Sequence, residues 1–422
     1  MRKIILPSLA IALVLGACSK SDTPSKEQPP LSADKQAELL ENYADILEAG
    51  YEDSYNAALA LQEKINAFTD NPTAQGLEDA KAAWLAAREP YMQTEIARFY
   101  GGPIDGDDGD GLLNSWPLDE GYIDYLAGDS HGHAAYPGGP DYSTGIINMP
   151  AQYPDITEEI LVQNNQPDGG TQNANGDDVD VSVGYHAIEF LLWGQDDTPA
   201  ADKIAGQRPY TDYVTGAGGT AQNQDRRATY LKVVTQLLVD NLKEMKDAWA
   251  PDQDNYRKSF VADAATGIAN MFNGIGRLAK GELAGERMGV PLATHSQEQE
   301  HSCFSDNTDR DLWLDMQGIV NVYTGTYKRT DGSVIQGLGL SDYVKAQSPD
   351  DDAKMKSLLS AAQESLQTIE DNKPFDYLID GSNAAGNAIV QDGVTAVSAV
   401  ADWVSQIAHD LKLSGVNVPD EN

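Results

Sequence analysis

Apolar positions recur along this chain at intervals of three and four, the period of an α-helix rather than of a strand. Leu40, Tyr43, Leu47, Ala58, Leu61, Ile65 and Phe68 form one such series. It follows Ser32, whose hydroxyl suits a helix cap, and stops near Asn71-Pro72, where proline cannot continue a helix. The same pattern predicts a second helix over 73–100 and others over 226–250, 256–280, 309–327, 351–370 and 387–411. Clear alternation of period two is confined to Val179, Val181 and Val183, so strand content should be small. The expected fold class is all-α, with two helical-bundle domains.

Between the helices lie tracts rich in Gly, Asp, Asn and Pro, at 101–153, 163–180 and 196–225. Structureless loops of that length usually cover or carry a site. The predicted organisation is a signal segment 1–17, a tether 18–30, a first helical domain 31–200 bearing the long loops, a linker 201–224, a second bundle 225–413 and a tail 414–422. The run from Asp105 to Gly111 alternates acids with glycines like a calcium loop. It fails the EF-hand template, because the fifth position is Gly109 and the twelfth Trp116, neither an oxygen ligand by side chain. A turn-rich acidic loop is the expectation.

Charge narrows the partners. With 66 acidic against 29 basic residues the net charge is −37, which repels nucleic acid and anionic membrane surfaces and concentrates cations. Most of these acids read as a solubility adaptation. Attachment to a membrane is expected by another route. Met1-Arg2-Lys3 is a short basic start, 4–15 is an apolar run too short to span a bilayer, and Leu15-Gly16-Ala17-Cys18 ends in small residues before a cysteine. That pattern reads as a bacterial lipoprotein signal cleaved before Cys18, with lipid on Cys18 as the anchor. Ser19, where an aspartate would retain a lipoprotein in the inner membrane, favours the outer membrane facing the periplasm. Once Cys18 carries lipid, Cys303 has no partner for a disulfide.

Candidate chemistry centres on GYHAIEFLLWG, Gly184 to Gly194. His186 and Glu189 stand one helical turn apart inside a run otherwise wholly apolar, so both polar heads should be buried. A buried carboxylate needs a cation, an arginine or a metal. Spacing alone says little, since six His among 66 acids give roughly one His-x-x-acid by chance; the apolar setting carries the weight. The alternative is a core histidine on a backbone carbonyl with Glu189 paired to an arginine. Trp84, Arg88, Tyr91 and Glu95 form a polar stripe on the second predicted helix, bent at Pro90, either a site wall or a solvated edge. Glu298 and His301 repeat the carboxylate–imidazole spacing in reverse, in a polar stretch that includes Cys303; a structural role competes there with a ligating one.

Several long motifs in one order, AWLAAREPYMQTE (83–95), FYGGPIDG (99–106), NSWPLDEGYIDY (114–125), GYHAIEFLLWGQD (184–196), RPYTDY (208–213) and EHSCFSDNT (300–308), resemble the imelysin-like family, also called the insulin-cleaving peptidase-like or iron-regulated protein A group of bacterial envelope proteins. The resemblance covers nearly the whole mature chain. The family's Gly-x-His-x-x-Glu signature maps onto Gly184, His186 and Glu189. It implies two helical-bundle domains with the site in the cleft between them, attachment to the envelope, and a link to iron acquisition, with components of an uptake system as partners.

Two functional readings follow. In the first, His186 and Glu189, helped by Glu95, Glu298 and His301, hold a divalent or ferric metal ion or a metal-bearing ligand, with Trp84, Arg88 and Tyr91 lining the site; mixed carboxylate and imidazole donors suit iron. In the second the same residues hold zinc and hydrolyse a peptide bond. Zinc peptidases typically place two imidazoles on one helix, and Phe190 stands where the His-x-x-Glu-His pattern needs the second. The binding reading is therefore preferred.

Overall fold

The computed structural model describes residues 31–106, 109–126, 140–167, 170–172 and 179–419. The signal segment, Cys18 and the tether lie outside them. Among the described residues eight α-helices have ten residues or more: α1 (Ala33–Asp70), α2 (Ala74–Met92), α3 (Gly184–Trp193), α4 (Gln224–Trp249), α5 (Ala264–Arg277), α6 (Thr308–Thr324), α7 (Pro349–Asp371) and α8 (Ala384–Asp410). None is long and apolar enough to cross a membrane.

The helices start where the chain supplies caps. Ser32 accepts from Lys35 N, Thr73 from Gly76 N and Asn383 from Gly386 N, each satisfying a donor that the first turn leaves unpaired. The apolar stripes then decide the packing. α1 lies along α2 and α4, and α3 is wedged against both. α8 packs on α7 and on the π-helical continuation of α5, Leu278–Gly289, while α6 packs on α7 and reaches across to α2. One continuous apolar core runs from Leu39 in α1 to Ile407 in α8.

Three expectations are corrected. The helix predicted to reach residue 100 ends at Met92, two residues past Pro90, and a short 3-10 turn, Glu95–Ala97, follows. Proline removes a backbone donor, and the Thr94 hydroxyl takes the Tyr91 carbonyl at 2.7 Å, so Glu95 leaves the stripe. The helix predicted over 256–280 is broken at Asp263, whose side chain caps α5 through Thr266 N at 3.2 Å. Val179, Val181 and Val183 are buried but form no strand. The one described sheet is the hairpin of β1 (Thr326–Lys328) and β2 (Val334–Gln336). It begins because α6 stops at Gly325, where φ is 72° and a Cβ would meet the Gly337 carbonyl at 2.6 Å.

Of the acidic run, Asp107 and Asp108 lie outside the described residues, and Asp105 serves a turn. Asp105 accepts from the backbone N–H groups of Phe99, Tyr100, Gly101 and Gly102 at 2.8–3.0 Å, a pattern that uses its oxygens on the chain itself rather than on an ion.

Candidate functional site

α3 is buried along its whole length. It can start where it does because Gly184 takes φ 86°; a Cβ there would sit 2.7 Å from the Leu113 carbonyl, so glycine lets the helix abut the turn that carries Asn114. From this fixed start, His186 and Glu189 face one another across a single turn, with Nδ1 and Oε2 2.8 Å apart. The other carboxylate oxygen of Glu189 accepts from the backbone N–H and hydroxyl of Ser305, at 2.9 and 2.7 Å. The partners of Glu189 are thus a histidine and a serine, not an arginine.

A second imidazole closes on the first. The rings of His186 and His301 are edge to face with centroids 4.8 Å apart. His301 Nε2 is 3.2 Å from Asn114 Nδ2. Arg88 donates through Nη1 to Asn114 Oδ1 at 2.5 Å, which fixes the orientation of the amide; the amide nitrogen donates, so His301 Nε2 accepts and the proton lies on Nδ1. That nitrogen is 3.2 Å from Asp311 Oδ2 but not aligned for a hydrogen bond. Asp311 is taken up by Arg88, with Nη2 at 2.7 Å, by the Ser302 hydroxyl at 2.6 Å and by Asn307 at 2.9 Å.

The remaining nitrogen, His186 Nε2, is buried and has no hydrogen-bond partner. Buried polar atoms are almost always satisfied, so this atom asks for a ligand. Burial, with His301 and Arg88 nearby, pushes the His186 imidazole well below its usual range; burial followed by Arg287 and Arg88 does the same to His301. Both rings are neutral at pH 7; His301 Nε2 is taken up by Asn114, which leaves His186 Nε2 as the ring nitrogen open to an ion. Burial raises the Glu189 carboxyl to about 8 against the pull of Ser305 and Arg88. Near neutral pH Glu189 therefore keeps its own proton beside a neutral His186. Once that proton leaves, the carboxylate accepts from His186 Nδ1–H and the Nε2 lone pair is bare, the arrangement in which a carboxylate orients a metal-binding histidine.

Trp116, Pro117, Leu118, His186, Glu298, Glu300, His301, Cys303 and Phe304 wall a cavity of about 10 Å³, near the least that holds one water or ion. Trp116 and Pro117 also border an outer cleft of about 820 Å³, which reaches Asn114 and is edged by Arg98, Asp110, Glu282 and Glu286. Glu298 is on a short 3-10 turn, Gln297–Gln299, and His301 on the turns after it. The two meet at the cavity through loop geometry and not as a helical pair. Burial and then the charges of Glu120, Asp197 and Asp196 hold the Glu298 carboxyl well above the usual range. Burial, then Glu298 and Glu189, raises the Cys303 thiol and keeps it neutral.

Arg88, Tyr91 and Trp84 line neither cavity. All three are fully buried. The Arg88 guanidinium lies 5.0 Å from the Tyr185 ring, 5.4 Å from Trp84 and 5.8 Å from Tyr91, and Trp84 Nε1 donates to the Tyr185 carbonyl at 2.9 Å. Glu95 stands outside this group. Its Oε2 is held by Arg287 at 2.8 Å and Arg98 at 2.9 Å; burial is outweighed by these cations, and its carboxyl falls to about 2. Sequence reasoning missed Asn114, Ser305 and Asp311. Only the motifs containing the first two drew notice, and nothing local marks Asp311, an acid in the first turn of α6, as buried.

The profile of the imelysin family matches residues 47–403. The chain belongs to the imelysin family. Iron-regulated protein A of Synechococcus elongatus is 25% identical over 357 residues, 83% of this chain and 79% of that protein. A solved iron-regulated protein A precursor from Parabacteroides distasonis superposes with a TM-score of 0.64 at 16% identity, covering 90% of this chain and 96% of the other. An imelysin-like protein from Psychrobacter arcticum gives 0.60 at 14%, covering 91% and 98%. At such identities the two structures speak for the fold, and the all-α expectation is borne out.

Proposed function

We propose that this imelysin-family chain is an envelope lipoprotein, anchored by lipid on Cys18 in the outer membrane and facing the periplasm, that binds a metal ion or small metal-bearing ligand as part of iron acquisition. The observation that carries the reading is His186 Nε2, buried and partnerless on an atom-sized cavity, with its opposite nitrogen held by Glu189 at 2.8 Å. His186 is the primary ligand; Glu298, on the same cavity wall, is the side chain that would move onto the ion, His301 would join only on releasing Asn114 from its Nε2, and Glu189 is the orienting group. Nitrogen and carboxylate donors together suit iron, and the name of the Synechococcus relative, iron-regulated protein A, supports that choice. Trp116 and Pro117 are shared by this cavity and the outer cleft, which is the side from which an ion would enter.

Peptide hydrolysis by zinc is supported less well. Both oxygens of Glu189 are engaged, leaving no base for a bound water, and the cavity of about 10 Å³ admits no peptide. Metal analysis of the purified chain, with a protease assay of wild type and Glu189→Gln beside it, tests the choice. Metal bound in near one-to-one ratio without protease activity is the expected result. Protease activity that disappears in Glu189→Gln would overturn it.

A further inference from the structure

A second group of acids lies behind the Ser305 turn, and it is made only of oxygen donors. One carboxylate oxygen from each of Asp196, Asp306 and Asp376 lies within 4.8 Å of the other two. The three come from distant segments: the loop after α3, the turn before α6, and the first turn of a short helix, Phe375–Ile379, between α7 and α8. Asp196 is braced for a fixed direction, accepting from Thr198 N at 3.1 Å and from Gln297 at 3.0 Å. Asp306 and Asp376 have no ion pair with Lys or Arg among the described residues. Lys203 is the cation nearest Asp376 in effect, yet its ammonium sits 4.0 Å from the centre of the Tyr377 ring.

An independent observation points at the same place. Glu300 is 2% exposed, and neither of its carboxylate oxygens makes a hydrogen bond of good geometry, although the Thr308 hydroxyl is close. The charges it meets most strongly are Asp376 and Asp306, with Asp196 following. Asp306 Oδ1 is likewise buried without a partner. Three carboxylate oxygens within 4.8 Å of one another, with the buried Glu300 carboxyl feeling the same charges, repel strongly in a desolvated setting. A cation at their centre removes the repulsion and satisfies the orphaned oxygens together.

We propose that Asp196, Asp306 and Asp376, with Glu300 behind them, bind a calcium ion. Oxygen-only donors select a hard cation over zinc, copper or iron. Calcium accepts about six to eight oxygens at about 2.3–2.6 Å in irregular geometry, which suits carboxylates brought together from three unrelated segments; magnesium, at about 2.1 Å, demands a near-regular octahedron. The ion would tie the end of α3 and the turn presenting Ser305 to the helices after α7. The three aspartates are not on the wall of the His186 cavity, which Glu300 borders, and the proposal does not depend on the reading given to His186.

The test uses the purified chain stripped with chelator and then titrated with calcium chloride, read by calorimetry and by thermal melting. One saturable calcium site, a melting temperature raised by a few degrees, and weaker binding of magnesium are expected. Asp306→Asn and Asp376→Asn should each lose at least tenfold in calcium affinity, while His186→Ala keeps the wild-type value. Terbium luminescence sensitised by nearby tyrosine and displaced by calcium supplies a reading on wild type alone, should either variant fail to fold. Melting curves of wild type that do not move with calcium, or calcium affinity unchanged in both folded aspartate variants, would overturn the proposal.

Discussion

Replacing Glu189 with glutamine separates the two things this side chain does. Glutamine keeps an oxygen for the Ser305 N–H and hydroxyl, which Glu189 now accepts at 2.9 and 2.7 Å. It puts an NH2 group where the carboxylate oxygen stands 2.8 Å from His186 Nδ1. An amide nitrogen only donates, so the imidazole must carry its proton on Nε2, and the lone pair there is lost. Removing the partner that orients a ligating histidine typically costs about 10–100-fold in metal affinity, and the wrong tautomer puts this variant at the upper end. Stability should move the other way. The Glu189 carboxyl goes from an ordinary 4.5 to about 8 in the folded chain. A raised carboxyl keeps its proton folded where the unfolded chain has released it, so stability falls as pH rises through that window and is flat above it. At about 1.4 kcal/mol per unit, the window withholds on the order of 5 kcal/mol by pH 8. Glutamine has no charge to desolvate. In chelator at about pH 8 the variant should melt at or above wild type, and the gap should narrow as pH falls toward the carboxyl's ordinary range. Scanning calorimetry with and without metal reads both effects. A variant that keeps the metal-dependent rise, or that melts well below wild type at high pH without metal, refutes the reasoning.

Other expectations follow from the same contacts. Binding a cation beside Glu189 expels its proton, so metal affinity should fall about tenfold per pH unit below about 8; calorimetry in buffers of different ionisation heat detects the proton, and an affinity flat across neutral pH contradicts it. Arg88→Ala strands the buried Asp311 carboxylate, now paired at 2.7 Å, and should cost about 3–5 kcal/mol in denaturant unfolding; a loss under about 1 kcal/mol would show that Asp311 is otherwise compensated. Asp105→Ala removes the acceptor of four backbone N–H groups and should speed hydrogen exchange at 99–102 with a loss of about 1–2 kcal/mol, leaving calcium binding unchanged.

What could be read from the chain divides along physical lines. Helices with a continuous apolar stripe were legible, as in α1 and α4, because burial of that stripe decides the fold. The buried state of His186 and Glu189 was legible because every residue around them in α3 is apolar. Glu95 was misplaced for a local reason: a stripe drawn through Pro90 assumes that the helix continues, and it ends at Met92. The partners of the pair were hidden for a different reason. Asn114, Ser305 and Asp311 lie more than 70 positions from His186, and the two acids at the start of α6, Asp309 and Asp311, look in sequence like a solvated first turn although both are buried. The aspartates at 196, 306 and 376 come from a loop, a turn and a five-residue helix, where no periodicity exists to relate them.

The central claim is that His186 presents a metal ligand, and the most direct measurement is the thermal melting of wild type and His186→Ala, each in chelator and then with excess iron, zinc or manganese. Because the unfolded chain has no assembled site, bound metal raises the melting temperature by mass action. The account predicts a rise of several degrees in wild type with at least one of these ions, no rise in His186→Ala, and a full rise in His409→Ala, whose side chain is 83% exposed on the last helix. Identical wild-type curves in chelator and in all three metals would contradict it.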